Sequence, residues 1–176
     1  MSFADKNITL IMHKITILAA LGGLALLAMP AQGEEKIDFA TQVYPFVKSG
    51  CVTCHSPEYE DERGRKRRPK AGIVLATKEG IMAEYELDSG DTKPLVIAGK
   101  PEESRMLEVT LLPIDDDFHF PPEGKAPQWT DAEKELFKKW IAEGADFGGW
   151  EADPEPREGL DWDGKEKEPG TVETAG

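Results

Sequence analysis

An all-α domain is the fold class the sequence predicts, and three amphipathic segments predict it. Ile37, Phe39, Val43, Phe46 and Val47 recur at helical spacing between Glu34 and Ser49. Met106, Leu107, Thr110 and Leu111 form an inner face after Pro101-Glu102-Glu103, where proline suits a first helical turn and acids suit its positive end. Leu136, Phe137, Trp140 and Ile141 share one face of a last helix. That helix opens on the capping pair Thr130 and Glu133 and closes at Gly144.

Between these segments the sequence is less regular. Pro45 falls inside the first helix and predicts a kink or break there. Gly50 ends that helix. Ser56 to Lys70 is highly charged, contains Pro57 and Pro69, and reads as a loop. Ala71 to Ala76 reads as a short extended piece. Thr77 then caps a short helix containing Ile81, Met82 and Tyr85. Ser89 to Pro94 is a turn-rich connection. Asp115, Asp116 and Asp117 lead through a loop into His119-Phe120-Pro121-Pro122. The aspartate run lacks the glycine and distant glutamate of a calcium loop.

The ends differ from the middle. Lys6 and Lys14 precede the apolar run Ile15 to Met29, and Ala31-Gln32-Gly33 offers small residues at a cleavage point. Residues 1–33 therefore read as a secretory signal, with an uncleaved membrane anchor as the alternative. Residues 34–150 form the domain. Residues 151–176 are acidic, rich in Gly and Pro, and predict a disordered tail. The formal net charge is −13, and residues 1–33 contribute a net positive charge, so the remainder is more acidic still. Such a surface excludes a nucleic-acid partner, whose phosphates need a basic one.

The chemistry rests on Cys51-Val52-Thr53-Cys54-His55, which holds both cysteines of the chain. This is the spacing of covalent haem c attachment. Two thiols add across the two porphyrin vinyl groups, and the adjacent histidine supplies the proximal iron nitrogen. Three other readings compete. A thioredoxin-like redox pair expects a βαβ context. A zinc site needs about four ligands, whereas His55 and His119 are the only histidines beyond residue 33. A structural disulfide leaves His55 without a purpose. Export and haem c maturation share a compartment, so signal and motif agree.

Around this motif the chain resembles the c-type cytochrome domains of Planctomycetes and Verrucomicrobia, from about Phe39 to Ala145. The resemblance is carried by residues 51–55, by Gly72-Ile73-Val74-Leu75-Ala76-Thr77, and by Val96-Ile97-Ala98-Gly99-Lys100-Pro101-Glu102-Glu103-Ser104. It continues through Pro121-Pro122-Glu123-Gly124-Lys125 and Trp140-Ile141-Ala142-Glu143-Gly144-Ala145. It implies a compact helical cytochrome c-type fold around one covalent haem. It also implies a methionine directly before the Pro-Pro pair as sixth iron ligand, and this chain has Phe120 there. Three candidates remain for that position: His119 as a second histidine ligand, Met82 or Met106, and no side chain at all.

The sequence thus leads to a periplasmic single-electron carrier that works with other periplasmic redox proteins. Its haem c is held by Cys51, Cys54 and His55, and His119 is the first candidate for the second axial ligand. No acid–base or nucleophilic constellation marks an enzyme. A haem-based sensor with an open distal site, or a haem subunit of a larger exported complex, are the alternatives. The basic run Arg63, Arg65, Lys66, Arg67, Arg68 and Lys70 has two readings, a docking site for an acidic partner or a solvated loop. Trp140 is expected in the core.

Overall fold

The computed structural model describes residues 36–160, apart from Glu62 and Asp88. Residues 1–33, the expected export signal, lie outside the described residues, as do positions 161–176 of the expected tail.

The first helical run starts at Asp38, whose carboxylate accepts from Thr41 N at 2.8 Å and Thr41 Oγ1 at 2.7 Å. This cap sets the start at Phe39 rather than near Glu34. A π-helical turn, Phe39–Val43, leads into α1, Tyr44–Val47, and a second π-helical turn, Lys48–Val52, follows it. Pro45 does not break the run. It sits in the first turn of α1, where a missing N–H is tolerated, and the wider turns on either side absorb the change of pitch. Gly50 does not end the run either. A Cβ there would stand 2.7 Å from Trp129 Nε1 and 3.1 Å from Pro121 Cγ, so glycine is present for close approach. The helix therefore reaches into the cysteine motif itself.

The stretch from Ser56 to Lys70 is a hairpin rather than a loop. Strands β1, Tyr59–Glu60, and β2, Lys66–Arg67, pair antiparallel. The Asp61 carboxylate organises the turn, accepting from Arg63 N and Arg65 N at 3.0 Å and from the guanidinium groups of Arg65 and Arg67. A second hairpin joins β3, Glu84–Glu86, to β4, Thr92–Pro94, through a turn at Gly90 with φ +85°. Tyr85 belongs to this hairpin, not to a helix. The short helix α2, Lys78–Ile81, is capped by Thr77 as expected, but it ends before Met82.

A 3₁₀ turn, Pro101–Glu103, precedes α3, Arg105–Leu111. Ser104 between them is fully buried. Its hydroxyl accepts from Ile97 N at 2.9 Å and donates to Lys100 O at 2.9 Å, locking the preceding loop onto the helix start. Met106, Leu107 and Thr110 are buried, whereas Leu111, expected on the inner face, is 59% exposed. Helix α4, Asp131–Ala142, carries the full Thr130–Glu133 capping box. Phe137, Trp140 and Ile141 are buried, as the spacing predicts.

The all-α expectation is overturned. Among the described residues there are four α-helices and two two-stranded sheets, and only α4 reaches 12 residues. This is a helix-and-hairpin architecture, not a compact all-α cytochrome c-type fold. The physical reason lies in the charged, glycine-bearing segments near 58–67 and 84–94. They contain too few apolar residues to bury a helical face, and their turn residues favour hairpins instead.

The core is a cluster of rings that joins the first helical run to α4. Phe39 packs on Trp140, Phe147 and Trp150 with ring centroids 4.5–4.9 Å apart. Phe46 meets Trp129 edge-on at 4.7 Å, and Phe137 lies 5.0 Å from Trp129 and 5.4 Å from Trp140. Residues 151–160, expected to be disordered, are folded onto this body. Asp153 N donates to Ala76 O, and the Asp153 carboxylate pairs with Lys48 at 2.8 Å and accepts from Tyr44 Oη at 2.8 Å. Partial burial of Trp150 against the core and these anchors outweigh the acidic composition of that segment.

Candidate functional site

Cys51, Cys54 and His55 lie at the C-terminal end of the first helical run and just beyond it. His55 N donates to Cys51 O at 3.0 Å, so the helical path that began at Phe39 turns the histidine back over the first cysteine. The segment that follows the hairpin clamps the motif from the other side. Lys70 N donates to Cys54 O at 2.9 Å, and Leu75 N donates to His55 O at 2.8 Å. The Arg157 guanidinium reaches back from the folded tail. It stacks over Tyr59 at 3.9 Å and approaches Thr53 O and Ser56 Oγ at 3.4 Å. No sequence signal marks Arg157, because its role depends on a tail that composition alone reads as unfolded.

Both cysteines are free thiols and both are half-buried. Burial pushes the Cys51 thiol up to about 12, and the neighbouring Cys54 adds to that shift. A redox-active pair works by the opposite shift, which puts thiolate in solution near neutral pH. Among the described residues, no three His, Cys, Asp or Glu side chains gather into a metal-ion site, so zinc finds no ligand set.

His55 is the unusual member. Its Nδ1 is buried and has no hydrogen-bond partner. Burial lowers its pKa below the ordinary imidazole value, and the backbone near Ile73 and Lys70 only partly opposes this. The ring is therefore neutral at pH 7, the form that ligates a metal. A buried, partnerless ring nitrogen beside two free thiols is costly unless the site serves another group. The donor set fits haem c: two thiols for thioethers and one neutral imidazole for iron.

His119, the expected second ligand, is held by hydrogen bonds within its own loop. Its ring is 5% exposed. Nδ1 stands 2.9 Å from Leu112 O, and Nε2 stands 2.7 Å from Gln128 Oε1. Gln128 Nε2 donates to Pro121 O at 2.7 Å, which fixes the amide orientation. Both ring nitrogens thus face oxygen acceptors. Freeing the ring would strip these groups of partners, at about 1–3 kcal/mol for each one left buried. The side chain that meets His55 is Phe120, with ring centroids 6.4 Å apart at 60°. Neighbouring residues in this loop therefore face opposite ways. His119 turns inward to hold the loop, and Phe120 turns toward the motif.

The two methionines are also accounted for. Met106 is buried in the core cluster, and Met82 is 37% exposed just beyond α2. Four cations of the basic run share two carboxylates of their own hairpin: Arg65 and Arg67 pair with Asp61, and Lys66 and Arg68 pair with Glu58. An apolar groove of about 320 Å³ between α3 and α4, lined by Leu107, Leu111 and Leu112, shares no residue with the motif. Gln128 was not visible as a site residue in the sequence. Phe120 was visible only as the residue standing where a methionine is expected.

No family model, curated protein or solved structure matches the chain.

Proposed function

We propose that this chain is an exported haem c protein that passes single electrons between periplasmic redox partners. The observation that carries the reading is the pairing of two free thiols with the half-buried His55, whose Nδ1 is buried without a hydrogen-bond partner, at the end of one helix. The resemblance to Planctomycete and Verrucomicrobial cytochrome domains supports it. The haem, when bound, supplies a reversible one-electron iron couple.

The residues of the chain divide the remaining work. Cys51 and Cys54, both free thiols, would hold the porphyrin edge through thioether bonds formed by addition to its vinyl groups. His55 presents a neutral imidazole, and the backbone bonds at Cys51, Cys54 and Leu75 hold it in place. Phe120, from the loop that His119 and Gln128 hold, stands with its ring 6.4 Å from the His55 ring. The acidic exterior favours basic docking partners and a salt-dependent encounter.

The test uses the full chain, produced in a host that carries out haem c maturation. Haem should survive denaturation and acid-acetone extraction, and voltammetry should show one one-electron wave. Cys51→Ala with Cys54→Ala should release the haem. A chain that matures without haem, or that yields extractable haem, removes the proposal.

A further inference from the structure

We infer that the loop after α3 is a docking surface for a basic, amphipathic helix of a partner protein, and that the groove between α3 and α4 receives part of that helix's apolar face. This goes beyond the haem reading and does not depend on it, because every residue involved lies on the chain's own surface.

The loop leaves in water the side chains that a folded chain ordinarily buries. Five large hydrophobic residues are exposed among the described residues, and four of them lie between Leu111 and Phe120. Leu111 is 59% exposed, Ile114 49%, Phe118 62% and Phe120 38%. Single exposed hydrophobics are ordinary, whereas a cluster of them marks an interaction surface.

The loop is also held in shape. Asp116 N donates to Pro113 O and His119 N donates to Asp116 O, both at 2.9 Å, so two tight turns follow each other. The Asp116 carboxylate accepts from Phe118 N at 2.8 Å. Phe120 N donates to Val109 O at 3.1 Å, and the Arg105 guanidinium stands over the Phe118 ring at 5.9 Å. Arg105 and Val109 are one turn apart on α3, so these contacts double the loop back along that helix. A surface fixed before the partner arrives loses little conformational entropy on binding. The groove of about 320 Å³ beside it is lined by Leu107, Leu111 and Leu112. Leu111 belongs to both, so groove and loop form one apolar surface.

Charge then selects the partner. Asp115 and Asp117 are exposed in the loop, and Glu102 and Glu108 are exposed at the groove. Arg105 pairs with Glu108 at 2.8 Å, and among the described residues no ion pair involves Asp115, Asp116 or Asp117. An acidic border repels a second copy of this chain, whose formal net charge is −13, and it repels an anionic lipid surface. It attracts lysine and arginine. A helix with apolar residues on one face and cations along its flanks matches both the surface and its border.

The probe is a synthetic helix with leucines on one face and lysines on its flanks, titrated against the full chain by calorimetry and mapped by hydrogen exchange. Binding should slow exchange in α3 and from Leu112 to Pro122. Leu111→Ser with Phe118→Ser should weaken binding at least about tenfold. Asp115→Asn with Asp117→Asn should weaken it roughly threefold at low salt and leave it unchanged at high salt. Glu79→Gln with Glu135→Gln, exposed carboxylates outside the loop, should leave it nearly unchanged. Protection confined to other segments, or undiminished binding by the Leu111→Ser, Phe118→Ser variant, overturns the inference. Dimerisation through the loop in sedimentation, or attachment through it to phosphatidylglycerol vesicles, also overturns it and assigns the surface to self-association or to lipid. The wild-type protection map decides without any variant. A chain without covalent haem that shows this footprint loses only the haem reading, and a haem-bearing chain without the footprint loses only this inference.

Discussion

The two sides of the site are built by different means. The His55 side is local: a cap at Asp38, one continuous helical run and a five-residue motif place both thiols and the imidazole within one stretch of chain. The Phe120 side is assembled from distance. Val109, Leu112, Pro121 and Gln128 meet through loop hydrogen bonds, and Trp129 reaches across to Phe46 O at 3.0 Å. The contrast explains their chemistry. A locally encoded side keeps both thiols and the imidazole together, whereas a side assembled by tertiary contacts can change its facing residue without disturbing them. Here it turns the Phe120 ring toward His55.

Gly50 is where the two sides touch, so it offers the strongest way to break the comparison. Alanine gains about 1 kcal/mol of helix propensity over glycine. Its Cβ would nonetheless sit 2.7 Å from Trp129 Nε1 and 3.1 Å from Pro121 Cγ. Overpacking of that kind costs about 1–3 kcal/mol, and the Trp129–Phe46 hydrogen bond is worth about 1 kcal/mol more. Gly50→Ala should therefore lose about 2 kcal/mol in chemical denaturation and loosen the Phe120 loop. Neutral or improved stability would mean that the two sides are not pressed together.

Gln128→Ala sharpens the same comparison from one side. It removes the bond to Pro121 O and the partner of His119 Nε2, at a cost of about 1–2 kcal/mol. Hydrogen exchange should rise in the loop from Leu112 to Pro122 and stay unchanged at Cys54 and His55. Equal loosening of both segments would show that they form one cooperative unit.

The smallest effect concerns the folded tail, which backs the attachment side. Burial raises the Asp153 carboxyl, but Lys48, Glu155 N and Tyr44 more than offset this, and its pKa is depressed. Its stabilisation is present above the unfolded value and is lost as pH falls through the lower folded one. Tyr44 shifts the opposite way: burial and the Asp153 hydrogen bond raise it. That contribution is complete below the ordinary tyrosine range and fades as pH rises above it. Tryptophan fluorescence, with Trp150 as the reporter, should show the tail loosening at both pH extremes. Asp153→Asn should flatten the acid limb, and an unchanged acid limb would place the acid sensitivity elsewhere.

What the sequence made legible follows the same division. The Thr77 cap and the Thr130–Glu133 capping box depend on spacing within a few residues, and each stands where spacing puts it. The hairpins were missed because charged, glycine-bearing stretches carry little periodicity, and Asp61 organises its turn through contacts up to six residues away. Residues 151–160 were misread because their composition is acidic, while their order comes from Lys48, Tyr44 and Tyr59, about a hundred positions earlier. His119 was legible as a residue but not as a role. Only the fold reveals that Leu112 and Gln128 hold its ring.

Intact-protein mass spectrometry under denaturing conditions reads out covalent haem at Cys51 and Cys54 without depending on the fold. The full chain from a haem c-maturing host should carry the added mass of one haem, and peptide fragmentation should place both thioethers on Cys51 and Cys54. The Cys51→Ala, Cys54→Ala double variant should run at the bare polypeptide mass. A wild-type chain at the bare mass, with two free thiols or a disulfide in a host that matures other haem c proteins, would contradict the account.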